Sequence, residues 1–270
     1  MAPVPLFDTH AHLHDRAFAD DLEAVIERAR AEGVQEIVTI GTDIEASEAA
    51  VALAQAQEGV WASVGVHPHD ASIWNDSVAT RIRELAVADA TVAIGEIGLD
   101  FYRNLSPPEA QQEAFAAQLA LATDLGLPVV IHSRDAQAET ELVLRRWTAG
   151  RTSDTPVGVL HCFSGDAALD RRYVEMGFMI SFAGVVTYPK NDVLREAGLS
   201  VPAEHIVVET DCPYLTPQFR RGKRNEPGYV RETARFLAEL RGEALSVFAA
   251  QSRANALRLF RLPPAAKMAS

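Results

Sequence analysis

Cysteine is nearly absent from this chain of 270 residues, which has only Cys162 and Cys212. Two cannot staple a chain of this length, so a disulfide scaffold is excluded and the thiols read as reduced, which suits the cytoplasm. Long apolar runs are lacking too: no stretch approaches the roughly 18 uninterrupted apolar residues of a spanning helix. Met1 to Phe7 has neither the basic start nor the apolar core of a signal peptide. Neither membrane insertion nor secretion is expected. Lysine is scarce, and positive charge is short overall: 25 Lys and Arg face 37 Asp and Glu, a formal net charge of -12. Such a chain does not wrap long stretches of nucleic acid, which takes many phosphate-neutralising cations, so any contact with a polyanion has to be local. No Gly/Ser linker, charge block or composition shift marks a boundary. The expectation is one domain over residues 1–262 and a frayed tail over 263–270.

What is present is a repeat. Short apolar, β-rich runs occur at Val4–Asp8, Val34–Ile40, Val60–Val66, Val92–Ile97, Pro128–Ile131, Val157–Leu160, Phe178–Phe182 and Ile206–Val208. Between them lie Ala- and Leu-rich helical segments such as Asp21–Ala31, Glu45–Gln57, Arg81–Ala88, Pro108–Leu125, Ala136–Trp147 and Ala167–Met176, and two more, Tyr229–Leu240 and Glu243–Phe260, follow the last run. Strands apolar on both faces belong to a parallel sheet covered by helices. Eight βα units predict an α/β fold of the closed (β/α)8 type, a TIM barrel, with an open doubly wound sheet as the alternative.

The chemistry collects where the runs end: His10 and His12, His67 and His69, Glu96, His132, His161, then Glu209 and Asp211. His205 stands apart, before the eighth run. Side chains alternate along a strand, so His10 and His12 point to one side and can converge on one ion; a solvated strand end is the plainer alternative for that pair alone. Glu96, His132, His161 and Asp211 each follow buried apolar residues. Uncompensated polar groups there cost several kcal/mol, which divalent cations would offset together. Four histidines and two carboxylates suffice for two ions, His10, His12 and Asp211 on one, His132 and His161 on the other, with Glu96 bridging. Zinc, manganese, iron, nickel and magnesium all remain open. Two ions about 3.5–4 Å apart activate a bridging water and neutralise oxygens at phosphorus, so hydrolysis is the expected reaction. Glu96, Asp211 and Glu209 are its candidate catalytic residues, Glu209 either orienting a ligand or water or forming an interior salt bridge. None of the three lysines follows a strand, which counts against a carbamylated-lysine bridge.

After the eighth run, Arg220, Arg221, Lys223 and Arg224 form the densest positive run, a candidate phosphate site or a solvated loop. Arg221, Lys223 and Arg224, with His67 and the stacking candidate Tyr102, are the expected substrate-binding residues. Cys162 and Cys212 are expected to face away from the cluster as packed thiols.

The motifs Phe-Asp-Thr-His-Ala-His (7–12), Gly-Val-His-Pro-His (65–69), Gly-Glu-Ile-Gly-Leu-Asp-Phe-Tyr (95–102), Ile-His-Ser-Arg (131–134), His-Cys-Phe-Ser-Gly (161–165), Glu-Thr-Asp-Cys-Pro-Tyr-Leu (209–215) and Arg-Asn-Glu-Pro (224–227) occur in order. In them the sequence resembles the TatD family of metal-dependent hydrolases over nearly its whole length. The resemblance implies a (β/α)8 barrel, divalent metal at His10, His12, Glu96, His132, His161 and Asp211, and deoxyribonuclease activity, often 3′→5′ exonucleolytic on single strands. Cys212 stands where Ser or Ala is more usual in the family. The expected function is a metal-dependent deoxyribonuclease acting on single-stranded or frayed DNA ends, using two divalent ions (Mg, Mn or Zn) and no obligate protein partner. A deacylase cleaving an ester or amide is the alternative, and a non-catalytic metal- or phosphate-binding module the third reading.

Overall fold

The computed structural model describes residues 4–150 and 155–263. The tail expected at 263–270 lies, from residue 264 on, outside them. Eight strands, β1 (Leu6–Ala11), β2 (Val34–Ile40), β3 (Val60–Val64), β4 (Thr91–Asp100), β5 (Val129–Arg134), β6 (Gly158–Leu160), β7 (Phe178–Phe182) and β8 (Ile206–Val208), pair in parallel, each with the next in sequence. The expected (β/α)8 barrel is thus observed, and the open-sheet alternative falls, since an open doubly wound sheet reverses its strand order at a switch point. Between the strands run α1 (Leu22–Ala31), α2 (Ile44–Ala56), α3 (Asp76–Ala86), α4 (Pro108–Leu125), α5 (Gln137–Thr148), α6 (Ala167–Glu175) and α7 (Asp192–Ser200), followed by α8 (Val230–Arg241) and α9 (Leu245–Leu259). The sequence reading did not name α7, a short helix of nine residues. No helix of the described residues is long and apolar enough to cross a membrane.

The ring closes between β1 and the segment after β8. The Asp211 amide donates to the His10 carbonyl (2.9 Å) and the His12 amide to that of Cys212 (2.8 Å). Beneath them Asp8 accepts from the Thr210 amide (2.9 Å), and its other oxygen lies 2.6 Å from the Thr210 hydroxyl. Burial pushes the Asp8 carboxyl up to about 8, against the pull of those hydrogen bonds. Seam and candidate ligands therefore share one piece of backbone.

Alternation along the strands makes two apolar layers. One faces the helices, with Leu6, Ile37, Ile94, Ile131, Phe178 and Phe182. The other, with Phe7, Val38, Ile40, Val130, Val159, Met179 and Val207, fills the barrel and continues into Ala256, Leu257, Leu259 and Phe260. The end of α9 thus plugs the N-terminal mouth. Phe260 stacks on Phe7 (centroids 5.7 Å apart), Asn255 donates to the carbonyls of Ala203 (2.7 Å) and Ile206 (2.8 Å), and Arg253 pairs with Glu36.

Phe260 is 3% exposed, so Phe260→Ala opens a cavity in the floor and is expected to cost about 3–5 kcal/mol in urea unfolding. The opposite mouth is left alone, so metal content measured on the folded variant stays at the wild-type level. A loss of metal would show that the two ends are not independent.

Candidate metal centre

At the C-terminal mouth the strand ends converge on Glu96, a residue 3% exposed on β4. Its position rests on two close approaches between β4 and β5. Gly95 lies against Val130, and Gly98, at φ +145°, lies against the His132 carbonyl, where a Cβ would fall 1.9 Å from the oxygen. No side chain fits at residue 98.

The two oxygens of Glu96 face different histidines. Oε2 lies 3.4 Å from His10 Nε2, which is 3.3 Å from His12 Nε2, and Asp211 Oδ1 approaches both, at 3.7 and 3.3 Å. Oε1 lies 2.8 Å from His132 Nδ1, 3.4 Å from His161 Nε2 and 3.5 Å from His67 Nε2. The His161 ring stacks on His10 (centroids 3.6 Å apart), between the two groups. All six residues expected to hold metal are brought together. His67, expected to touch substrate, stands among them.

Two carboxylates back the histidines from behind. Glu209 Oε1 is 2.8 Å from His161 Nδ1 and accepts from the Cys162 amide (2.9 Å). Asp100, fully buried at the end of β4, faces His132 Nε2 at 3.2 Å and His69 Nε2 at 2.9 Å. The sequence reading passed over Asp100, although Glu96 and Asp100 share the even-numbered face of one strand and so carried a signal. Helix α4 fixes this side of the site with two buried glutamines a heptad apart. Gln111 bonds the amide and the carbonyl of Asp100 (2.8 and 3.2 Å), and Gln118 those of Val66, beside His67 (2.7 and 3.0 Å).

Burial sets the electrostatics, since it penalises every charge here. It lowers the His10 imidazole and holds His67 down at about 4. At His161 burial pulls the same way but is outweighed by Glu209 and Glu96, and the ring is pushed up to about 10. His12 and His132 are also raised against burial, by Asp211 and by Asp100 and Glu96 respectively. The Glu96 carboxyl is held well below the usual range despite burial, by His161, His67 and His10.

The donor set fits divalent cations. Ligand atoms of His10, His12 and Glu96, of His67, Glu96 and His132, and of His10, His161 and Glu209 each gather within 4.8 Å. His10 Nδ1 and Glu209 Oε2 are buried without a hydrogen-bond partner. Imidazole nitrogen with carboxylate oxygen suits zinc, manganese or iron.

Around the rim Tyr102, Arg221 and Lys223 are exposed. Arg224 is not available in the same way: its guanidinium pairs with Asp21 (2.7 Å) and Glu226 (3.1 Å), bonds the Ala17 carbonyl and lies over the Phe18 ring, tying the last loop to α1. Cys212 is fully buried and Cys162 half-buried; both are free.

The family of TatD-related DNases matches residues 7–261. A Bacillus subtilis protein named as the uncharacterized metal-dependent hydrolase YabD is 40% identical over 257 residues, 95% of this chain and 99% of its own. A 3′-5′ ssDNA/RNA exonuclease, TatD, of Pectobacterium carotovorum is 41% identical over 263 residues, 95% of this chain and all of its own. Among solved structures, the TatD homologue YjjV of Escherichia coli superposes with a TM-score of 0.88 at 31% identity, covering 96% of this chain and 98% of that one.

Because His161 is pushed up to about 10, the metal-free cluster binds a proton at neutral pH that metal must displace. Metal loading is expected to release protons, seen as buffer-dependent heat in titration calorimetry, and apparent affinity to rise with pH toward the His161 value of about 10. Stability of the metal-free protein runs the other way. The contribution of a raised histidine is complete below its unfolded value of about 6.5 and is lost as pH rises through about 10, so metal-free melting temperatures should fall over that window. Separately, Asp100→Asn removes the charge behind His132 and is expected to weaken metal affinity about 10–100-fold in a manganese titration, with the fold retained.

Proposed function

The chain belongs to the family of TatD-related DNases, metal-dependent hydrolases, and from that premise we propose that it cleaves phosphodiester bonds of DNA from 3′ ends, with single strands or frayed ends as substrate. The observation that carries the reading is the division of Glu96, whose two oxygens address two sets of ligands. In this reading His10, His12 and Asp211 would hold one ion and His67, His132 and His161 the other, with Glu96 available to each. Bound divalent ions supply Lewis acidity, activating water and neutralising phosphate oxygens. The remaining roles belong to the protein. Glu209 fixes the His161 ring through Nδ1, and its free oxygen is placed to take a proton or hold a water. Asp100 does for His132 what Glu209 does for His161. Arg221 and Lys223, exposed on the rim, are placed to meet phosphate, and Tyr102 to stack on a base.

The reading includes one barrel domain over residues 1–262 and a cytoplasmic setting, the latter supported by two free thiols. A deacylase would use the same activated water on a carbonyl carbon. The uncompensated cations at the mouth favour an anionic substrate instead.

Chelation is expected to abolish hydrolysis of end-labelled single-stranded DNA, and refilling with magnesium, manganese or zinc to restore it. Full activity of verified metal-free protein would sink the mechanism. Glu96→Gln keeps the shape and removes the charge, so turnover and occupancy of the second ion should both drop while the fold persists; wild-type rate with two bound ions would end the bridging role. Cleavage of ester or amide substrates with no nucleic-acid hydrolysis would move the assignment to the deacylase.

A further inference from the structure

The positive charge of this acidic chain is distributed unevenly. Among the described residues most arginines pair with a carboxylate or a backbone carbonyl. Among the described residues no hydrogen-bonded or ion-pair partner meets the side chains of Arg16 after β1, Arg103 after β4, Arg134 at the end of β5, Lys190 after β7, the run Arg220, Arg221 and Lys223 after β8, and Arg146 on α5. All but Arg146 stand at the mouth that bears the histidines.

Three of these arginines lie over aromatic faces: Arg220 over its own neighbour Phe219, 5.8 Å from the centroid, and two over rings of another loop. The Arg134 guanidinium is 4.0 Å from the centroid of Tyr102, a ring 59% exposed, and that of Arg221 is 4.3 Å from the centroid of Tyr188. Stacking orients the guanidinium, and without a carboxylate its N–H edge stays free for phosphate. Both pairs sit on fixed backbone. Arg134 is in register with Asp100, and its carbonyl accepts from the Phe101 amide (2.9 Å). The Tyr188 hydroxyl donates to the Thr216 carbonyl (2.9 Å), and the Gln218 amide to the Thr187 hydroxyl (2.8 Å), lacing the loop after β8 to the one after β7.

Their placement follows the long axis of the cluster. Arg134 is two residues past His132, on the side of Glu96 Oε1; the loop carrying Arg221 follows Asp211, on the side of Oε2. We propose that Arg134–Tyr102 and Arg221–Tyr188 are two nucleotide clamps flanking the metal cluster, so that one DNA strand is gripped on both sides of the scissile phosphate. Each clamp offers a guanidinium edge to a phosphate and an aromatic or guanidinium face to a base. In a duplex those faces are covered by neighbouring bases, so the clamps select single strands and frayed ends. The proposal rests on the nuclease reading and adds the residues that set its substrate form.

The test is fluorescence-anisotropy binding of cleavage-resistant phosphorothioate oligothymidylates, about two and about ten nucleotides long, to the metal-loaded full chain across a salt series. Arg134→Gln and Arg221→Gln are each expected to weaken the longer strand about 10-fold, and together about 100-fold, each reducing the salt slope by about one. The dinucleotide should lose less, and Arg146→Gln should change nothing. Tyr102→Ala checks the stacking half, and circular dichroism and metal content check the fold. Unchanged affinity in either arginine variant, or a loss no greater for the longer strand than for the dinucleotide, overturns the two-sided grip. Clamp-dependent binding without hydrolysis of unmodified DNA supports the clamps and sinks the nuclease reading alone; hydrolysis with clamp-independent affinity does the reverse.

Discussion

A carboxylate at the top of a barrel packed with Val38, Ile40, Val130, Val159 and Met179 is tolerable only if opposite charge or hydrogen-bond donors reach it within a few ångströms. Glu96 is that carboxylate. Five histidines and Asp211 gather around it from β1 and β5 and from the segments just after β1, β3, β6 and β8, and Asp100 and Glu209 stand behind two of the rings. The same buried charge explains why some imidazoles rise and others fall. Those with a second carboxylate at their back, His161 and His132, are raised, whereas His67, which has none, is lowered by desolvation. The ligand atoms already lie within reach of one another.

The barrel separates this chemistry from its own support. At the N-terminal mouth the end of α9 closes the floor with Phe260, Leu259 and Leu257, and Arg253 and Asn255 anchor it to the starts of β2 and β8. At the other mouth strand ends and polar loops carry the ligands, and they are stiffened by the buried amides of Gln111, Gln118 and Asn225, which bond backbone groups that strand pairing has left free. Ligand geometry is thus set by a hydrogen-bonded second layer, whereas stability comes from the apolar plug.

Surface charge follows the same division. Away from the mouth, arginines are neutralised locally by carboxylates of a neighbouring helix or of their own, as in Arg81 with Glu48 and Arg235 with Glu239. The net charge of -12 therefore coexists with a rim where guanidinium groups meet aromatic rings in place of acids. A polyanion approaching such a molecule finds favourable potential over only a few nucleotides.

The repeat of apolar runs was enough to specify the fold. Periodicity is a local property, and runs buried on both faces leave a parallel sheet wrapped in helices as the economical solution; among the α-helices only α7, nine residues long, escaped notice. Histidines and carboxylates at the ends of those runs were equally legible, because strand ends of a parallel barrel all open on one mouth. Three matters were not. That His67 joins the ring around Glu96 instead of standing beyond it, that Asp100 backs His132, and that Arg224 belongs to Asp21 while Arg134 and Arg221 stay uncommitted, are all decided by distances between segments 29 or more positions apart. Sequence alone determines which residues reach the mouth, since alternation along a strand fixes their side. Which of them meet, and at which oxygen, follows from the way the barrel closes, because a charged side chain takes its partner from whatever the fold brings within about 4 Å.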